Sequence, residues 1–157
     1  MNKSYVSQQI TYGLLELMEK VPFEEITVSQ IARQAQVGRA SFYRHFSSKE
    51  EVIRQHLADL LREWGQEFES LGKFEELTPS LLRHFYKHRK SYLLLHRSGL
   101  SHSLLDAILD CMDFDGKSDA EIYFLNWYAG GLYGVVEEWM RRGMQETAEE
   151  ILEHFSK

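Results

Sequence analysis

The chain has 157 residues, 43% hydrophobic and 27% charged, with a formal net charge of −6, the proportions of a globular protein able to bury one core or two small ones. No apolar run approaches the roughly 20 residues that span a bilayer, and Met-Asn-Lys-Ser-Tyr at the start has no signal-peptide core, so a cytoplasmic location and no membrane partner are expected. The single cysteine, Cys111, excludes an internal disulfide and a cysteine-rich zinc site.

A first helix is expected over about Ser4 to Lys20, with Val6, Ile10, Leu14, Leu17 and Met18 on its inner face. Pro22 ends it by disfavouring helical geometry at Val21. Thr27 and Gln30 then form a capping box, with Ile26 and Ile31 spaced as a hydrophobic staple. Val28, Ile31, Ala32 and Ala35 repeat at helical spacing, which predicts a helix over about 28–35. Gln36-Val37-Gly38 is the expected sharp turn, with glycine supplying the left-handed backbone. The next helix starts at Arg39, and its Phe42 and Phe46 share a buried side while Ala40 and Arg44 point the opposite way. Ser41, Tyr43 and His45 lie on the flanks, so the exposed side carries groups that bond phosphate oxygens and base edges. Ser48-Lys49-Glu50-Glu51 reads as a second capping box.

Two short capped helices joined by a tight turn make a helix-turn-helix, and from about residue 4 to 55 the sequence resembles the N-terminal domain of the TetR family of bacterial transcriptional regulators. The resemblance rests on Ile26-Thr27, Ile31-Ala32, Val37-Gly38, Phe42-Tyr43, His45-Phe46 and Lys49-Glu50 at the family's offsets. It implies that Thr27 caps the second helix at a phosphate. Arg39, Ala40, Ser41 and Arg44 would face the major groove, and Tyr43, His45 and Lys49 would hold backbone phosphates.

Charge divides along the chain in the same sense. Residues 1–49 hold six basic and four acidic residues, a net +2, whereas the remainder is −8. This fits a DNA-binding head at 1–49 on an acidic body at 50–157. So modest a head charge calls for two heads joined in a dimer.

In the body, a fourth helix should run from Lys49 to about Leu71, and Gly72 closes it. Thr78-Pro79 starts a helix reaching Lys90, Ser91 caps one over Tyr92 to Arg97 that stops at Gly99, and Ser101 caps one through Met112. Asp113 to Ser118 is a loop. Ser118 and Glu121 box the start of a long helix reaching Arg142, and Thr147 and Glu150 box a last one ending near Phe155. The fold expected is all-α, about nine helices, with a three-helix head and a helical-bundle body that dimerises.

The long eighth helix spends propensity on Gly130, Gly131 and Gly134, about 0.8 to 1 kcal/mol per glycine. Close helix packing would offset that, and the resemblance assigns this helix and the last to a homodimer interface. Val135, Trp139 and Met140 supply apolar area beside the glycines. The resemblance also implies a small-molecule effector bound among body helices. Trp64, Phe68, Phe85, Tyr92, His96, Tyr123, Phe124, Trp127 and Tyr128 are the candidate lining, apolar with polar tips.

His84 and His88 stand one helical turn apart but read as ordinary helix histidines, and no metal or cofactor is expected. Asp113-Phe114-Asp115-Gly116 is not a calcium loop, because Cys111 and Ile122 stand at its end ligand positions. No nucleophile-and-base set, phosphate-cradling glycine loop or carboxylate pair points to an enzyme. The partners expected are a double-stranded DNA operator of inverted symmetry, a second copy of the chain and an effector, with repression as the outcome. The alternative is a co-regulator or activator that works mainly through a protein partner.

Overall fold

The computed structural model describes residues 5–71, 74–112 and 114–155, which form nine α-helices with no strand among them. The expected start at Ser4, the stop at Gly72 and the loop residue Asp113 lie outside the described residues. The chain divides into two compact units, residues 1–57 and 58–157.

In the first unit, α1 (Tyr5–Met18), α2 (Val28–Gln34) and α3 (Arg39–His45) pack on one another in pairs. A 3-10 turn over Phe23–Glu25 precedes α2. Ile10, Leu14, Ile31 and Phe42 are completely buried, and Phe23, Ile26, Ala35 and Phe46 nearly so. Each large apolar side chain taken from water contributes about 1.5–3 kcal/mol, which is what holds three short helices together. Gly13 sets how closely two of them approach: a Cβ there would stand 3.0 Å from the Ala35 backbone nitrogen.

The turn after α2 differs from expectation in one residue. The left-handed position is Gln36, at φ 55, while Gly38 is extended at φ −76 and serves as the N-cap of α3. Gln36 N–H donates to Arg33 O at 3.1 Å and Val37 N–H to Ala32 O at 2.8 Å. That is a Schellman ending, whose left-handed residue directly follows the cap.

α4 (Lys49–Leu71) begins in the first unit, where Val52, Ile53 and Leu57 are buried. The division therefore falls after Leu57, not at the expected residue 49, because these first turns carry part of the first unit's core. Its start is capped by two serines rather than a Ser48 box. Glu51 N–H donates to Ser48 Oγ at 3.2 Å, while the Glu51 carboxylate takes the Ser47 N–H at 2.7 Å and the Ser47 hydroxyl.

The second unit continues with α5 (Leu77–Lys87), α6 (Arg89–Arg97), α7 (His102–Asp110), α8 (Asp119–Arg141) and α9 (Ala148–Glu153). α8 packs on α6 and α7, and α5 on α6 and α9. The helix expected to reach Lys90 stops at Lys87, and His88 at φ −101, ψ 18 is both its C-cap and the N-cap of α6. Ser91 therefore caps nothing. Ser101 gives no side-chain cap to α7 either, and its hydroxyl meets His96 Nδ1 at 2.9 Å. Thr78 lies inside α5 and bonds the Tyr128 hydroxyl at 3.0 Å. The boxes at Ser118 and Thr147 form with both arms, donating to Glu121 and Glu150 at 2.8 and 2.7 Å.

Candidate nucleic-acid interface

The face of α3 follows from the burial of two phenylalanines. Phe42 is completely buried and Phe46 nearly so, with ring centroids 6.1 Å apart, which leaves the other side of this two-turn helix outside. Arg39, Ala40, Tyr43, Arg44 and His45 are exposed and Ser41 half-buried. Tyr43 is 52% exposed, its ring edge resting on Phe42 at 5.4 Å, so packing fixes its direction. Among the described residues, Arg39 and Arg44 have no ion-pair partner within the chain. Their guanidinium donors therefore remain open to a partner outside it.

Thr27 is exposed but already engaged. Its N–H and its hydroxyl both reach Gln30 Oε1 at 2.8 Å, and its Oγ accepts the Gln30 N–H at 3.3 Å. The box fixes the start of α2, and the hydroxyl hydrogen is spent there.

Lys49, expected at a phosphate, has its donors engaged within the chain. Its Nζ donates to Phe23 O, Ile26 O and Glu24 O at 2.6, 2.9 and 3.0 Å, and lies 4.6 Å from the centre of the Phe23 ring. An ammonium has three donors and all three are used. Lys49 is a clamp between the start of α4 and the turn before α2. Sequence reasoning also missed Gly13; no local pattern distinguishes either residue.

The nine aromatic and histidine side chains expected around an effector do not gather in one cavity. Phe85 and Tyr92 are core, 4.9 Å apart and fully buried. Tyr92 OH meets His84 Nε2 at 3.2 Å, and burial pushes the Tyr92 phenol far above its usual range. His96 turns to Ser101 and to Glu137 Oε1 at 3.4 Å. Tyr123, Phe124 and Trp127 are 77%, 51% and 71% exposed on α8. Trp64, Phe68 and Tyr128 are half-buried: Trp64 Nε1 donates to Ser80 Oγ at 3.1 Å and stacks on Phe68, while the Tyr128 hydroxyl bonds Thr78.

The expected interface residues also divide. Gly130, Gly131 and Gly134 are exposed and Val135 half-buried. Trp139 and Met140 are buried within the unit, at 1% and 2% exposure, and do not belong to an outer face. Trp139 stacks on Tyr86 at 5.9 Å and donates from Nε1 to Glu146 O at 3.1 Å. Helix periodicity marked an apolar residue at each position without saying which of two apolar sides it served. Among the described residues no helix is long and apolar enough to cross a membrane, and no cluster of three or more metal-ligating side chains occurs.

The sequence profile of bacterial regulatory proteins of the tetR family matches residues 10–55, and that of a transcriptional regulator C-terminal region matches 72–157. No curated protein matches the chain. Among solved structures it is similar to the Listeria innocua protein Lin0861, at 19% identity and TM-score 0.76, over 99% of this chain and 92% of that one. It is also similar to the fatty acid degradation regulator FadR from Bacillus halodurans, at 17% identity and TM-score 0.66, over 98% and 93%. The dihydroxyacetone kinase operon activator DhaS follows at 18% identity and TM-score 0.60, over 96% and 91%. These likenesses establish the shared all-helical fold.

Proposed function

Because the chain belongs to the TetR family of DNA-binding, non-enzymatic bacterial regulators, we propose that it is a cytoplasmic repressor that holds an inverted-repeat operator as a homodimer. The observation that carries this reading is the outer face of α3, where Arg39 and Arg44 have no ion-pair partner among the described residues while Phe42 and Phe46 anchor the helix. In the bound state Arg39, Ala40, Ser41 and Arg44 read base edges in the major groove, and Tyr43 and His45 bond phosphates. Thr27 and Lys49 act from behind, by fixing the start of α2 and the turn before it. Two such heads about 34–36 Å apart meet successive major grooves.

The dimer contact lies on the outer side of α8, where Tyr123 and Trp127 precede Gly130, Gly131 and Gly134. Exposed aromatics beside glycines on one stripe are what a closely packed partner helix would cover. Release comes from a small molecule that engages the half-buried Trp64 and Phe68, the pair of the expected lining that stack on each other.

Selection from genomic fragments tests the DNA reading: it calls for enrichment of a palindromic site whose affinity falls steeply with salt. A dimer that enriches nothing, yet captures a protein partner, would support action through that partner instead.

A further inference from the structure

Five of the described residues take the left-handed backbone, and three of them are glycines, Gly99, Gly116 and Gly143, which adopt it without steric cost. The other two carry side chains: Gln36 at φ 55 and Met144 at φ 48. There the Cβ crowds a carbonyl oxygen, so such a residue persists where something else holds it. Met144 has that hold within the chain, because its side chain is buried to 2% exposure and its N–H donates to Trp139 O at 2.8 Å. Gln36 has only the backbone part of it, the N–H donated to Arg33 O at 3.1 Å. Its side chain is exposed, and among the described residues no hydrogen bond holds its carboxamide. Glycine would make the same backbone bond with less strain, so the fold of the head does not call for a side chain at 36.

Two residues on, the preference is reversed. Gly38 is extended at φ −76, a conformation open to any residue, and a Cβ added to it would meet nothing within 4 Å. It is also the N-cap of α3 and gives no side-chain hydrogen bond, where serine, threonine, aspartate or asparagine would. The turn therefore carries a side chain where its backbone favours none and lacks one where backbone and space both permit it. Both choices are accounted for by another body lying against the turn, over the bare surface at Gly38 and within reach of Gln36.

The duplex is placed to be that body. With Arg39 and Ala40 at base edges, a major groove about 12 Å wide leaves about 6 Å from its middle to its wall. Gln36 precedes Arg39 by three residues, at most about 10 Å of chain, so it falls beside the sugar–phosphate strand and not over the bases. A carboxamide offers two N–H donors and a phosphate oxygen accepts. We propose that Gln36 is a further DNA-holding residue, whose carboxamide N–H donates to a phosphate oxygen at the edge of the groove entered by α3, with Gly38 leaving room for the strand. This rests on the placement of α3 in the groove under the reading above and adds a contact from the turn outside the helix. It holds the duplex without adding charge or reading a base.

Two variants of the full-length chain test the contact, on the operator that the wild type selects from genomic fragments. Gln36→Gly removes the carboxamide and relieves the backbone together, so stability and affinity should not fall together. Its melting temperature is expected at or up to about 4 °C above that of the wild type. Its affinity should be at least about threefold weaker, the loss of a neutral hydrogen bond, with the ranking of sequences preserved. Gln36→Lys puts a cation at the same phosphate and should steepen the slope of log affinity against log salt by about 0.9 for each head. Undiminished affinity in Gln36→Gly would overturn the contact, and so would an unaltered slope in Gln36→Lys. A lowered melting temperature in Gln36→Gly would overturn it too, by making Gln36 a residue of the turn's own fold. A wild type that enriches no site would overturn the reading of α3 and this contact with it, whereas the other three results leave that reading standing.

Discussion

The Lys49 ammonium lies 2.6 Å from the carbonyl oxygen of Phe23, twenty-six residues earlier in the chain, and Glu24 and Ile26 complete its three acceptors. A lysine whose ammonium lies over the Phe23 ring with no donor left over acts on the fold of the head before it acts on any ligand. Lys49→Met keeps the stem and deletes the three charge-assisted bonds, each of a kind worth about 1.5–3 kcal/mol when partly buried. Denaturation should therefore show a loss of at least about 1.5 kcal/mol. The slope of log affinity against log salt should stay as it is, measured where the head is fully folded. A slope reduced by about one phosphate with stability unaltered would restore the lysine to the DNA backbone.

Gly13 illustrates the opposite chemistry, a side chain that must be absent. Alanine is ordinarily the better helix former by about 1 kcal/mol. Here its methyl would stand 3.0 Å from Ala35 N and 3.3 Å from Ala35 Cβ, so α1 and α2 would have to part. Overpacking costs about 1–3 kcal/mol, and the net expectation for Gly13→Ala is a lowered melting temperature. A raised melting temperature would mean that the two helices yield freely.

What the sequence revealed and what it withheld divide by range. Thr27 with Gln30, Ser118 with Glu121 and Thr147 with Glu150 were readable because a capping box is complete within four residues. Gly99 and Gly143 were readable as helix ends because each supplies a left-handed residue after its cap. Gln36 was not, since the tighter demand of the α2–α3 turn overrode its side chain's preference while glycine stood two residues on. The break at His88 carries no proline or glycine and arises where α5 and α6 pack on each other. Lys49, Gly13, Trp139 and Met140 take their roles from residues distant in sequence or from the choice between two apolar helix sides, neither of which periodicity encodes. On α3 the local code sufficed, because burying Phe42 and Phe46 dictates what is left outside.

His84 makes stability depend on pH. Burial, with His88 and Lys87 beside it, pushes its imidazole down to about 3, and its Nδ1 is buried without a hydrogen-bond partner. The unfolded chain takes up that proton near its ordinary value of 6.5, so between pH 6.5 and about 3 the unfolded state binds more protons than the folded one. Stability is therefore complete above about pH 6.5 and falls on acidification, by up to about 1.4 kcal/mol per pH unit from this group. His88, lowered by burial as well, adds in the same direction. Urea denaturation between pH 7 and pH 5, before most carboxylates titrate, should show the fall in wild type and a shallower one in His84→Gln. Equal slopes would remove His84 as the cause.

On the proposed DNA-binding reading, variants of Arg44 and Tyr43 would separate reading from holding on the outer face of α3. Arg44→Ala is expected to change which base is preferred at one position of each half-site, with a loss of about 1–3 kcal/mol on the best sequence. Tyr43→Phe keeps the ring against Phe42 and removes only the hydroxyl, so all sequences should weaken alike with their ranking preserved. Parallel binding-site selection with the two variants makes the comparison. An unaltered preference in Arg44→Ala would take that residue out of the groove.

At Gly131 the two states of association predict opposite signs. Within one copy, nothing lies within 4 Å of a Cβ at that position, so Gly131→Ala should gain the helix propensity of alanine, about 0.8–1 kcal/mol. In a dimer whose α8 helices approach over the glycines, the same methyl meets the partner, and Gly131→Leu should separate the copies altogether. The dimer dissociation constant should therefore rise with side-chain size in the order glycine, alanine, leucine, while helicity at high dilution does not decline from glycine to alanine. Sedimentation over a dilution series measures the first and far-ultraviolet circular dichroism the second. Dissociation constants that do not change along the series would move the contact away from the α8 glycines, whatever the helicity does.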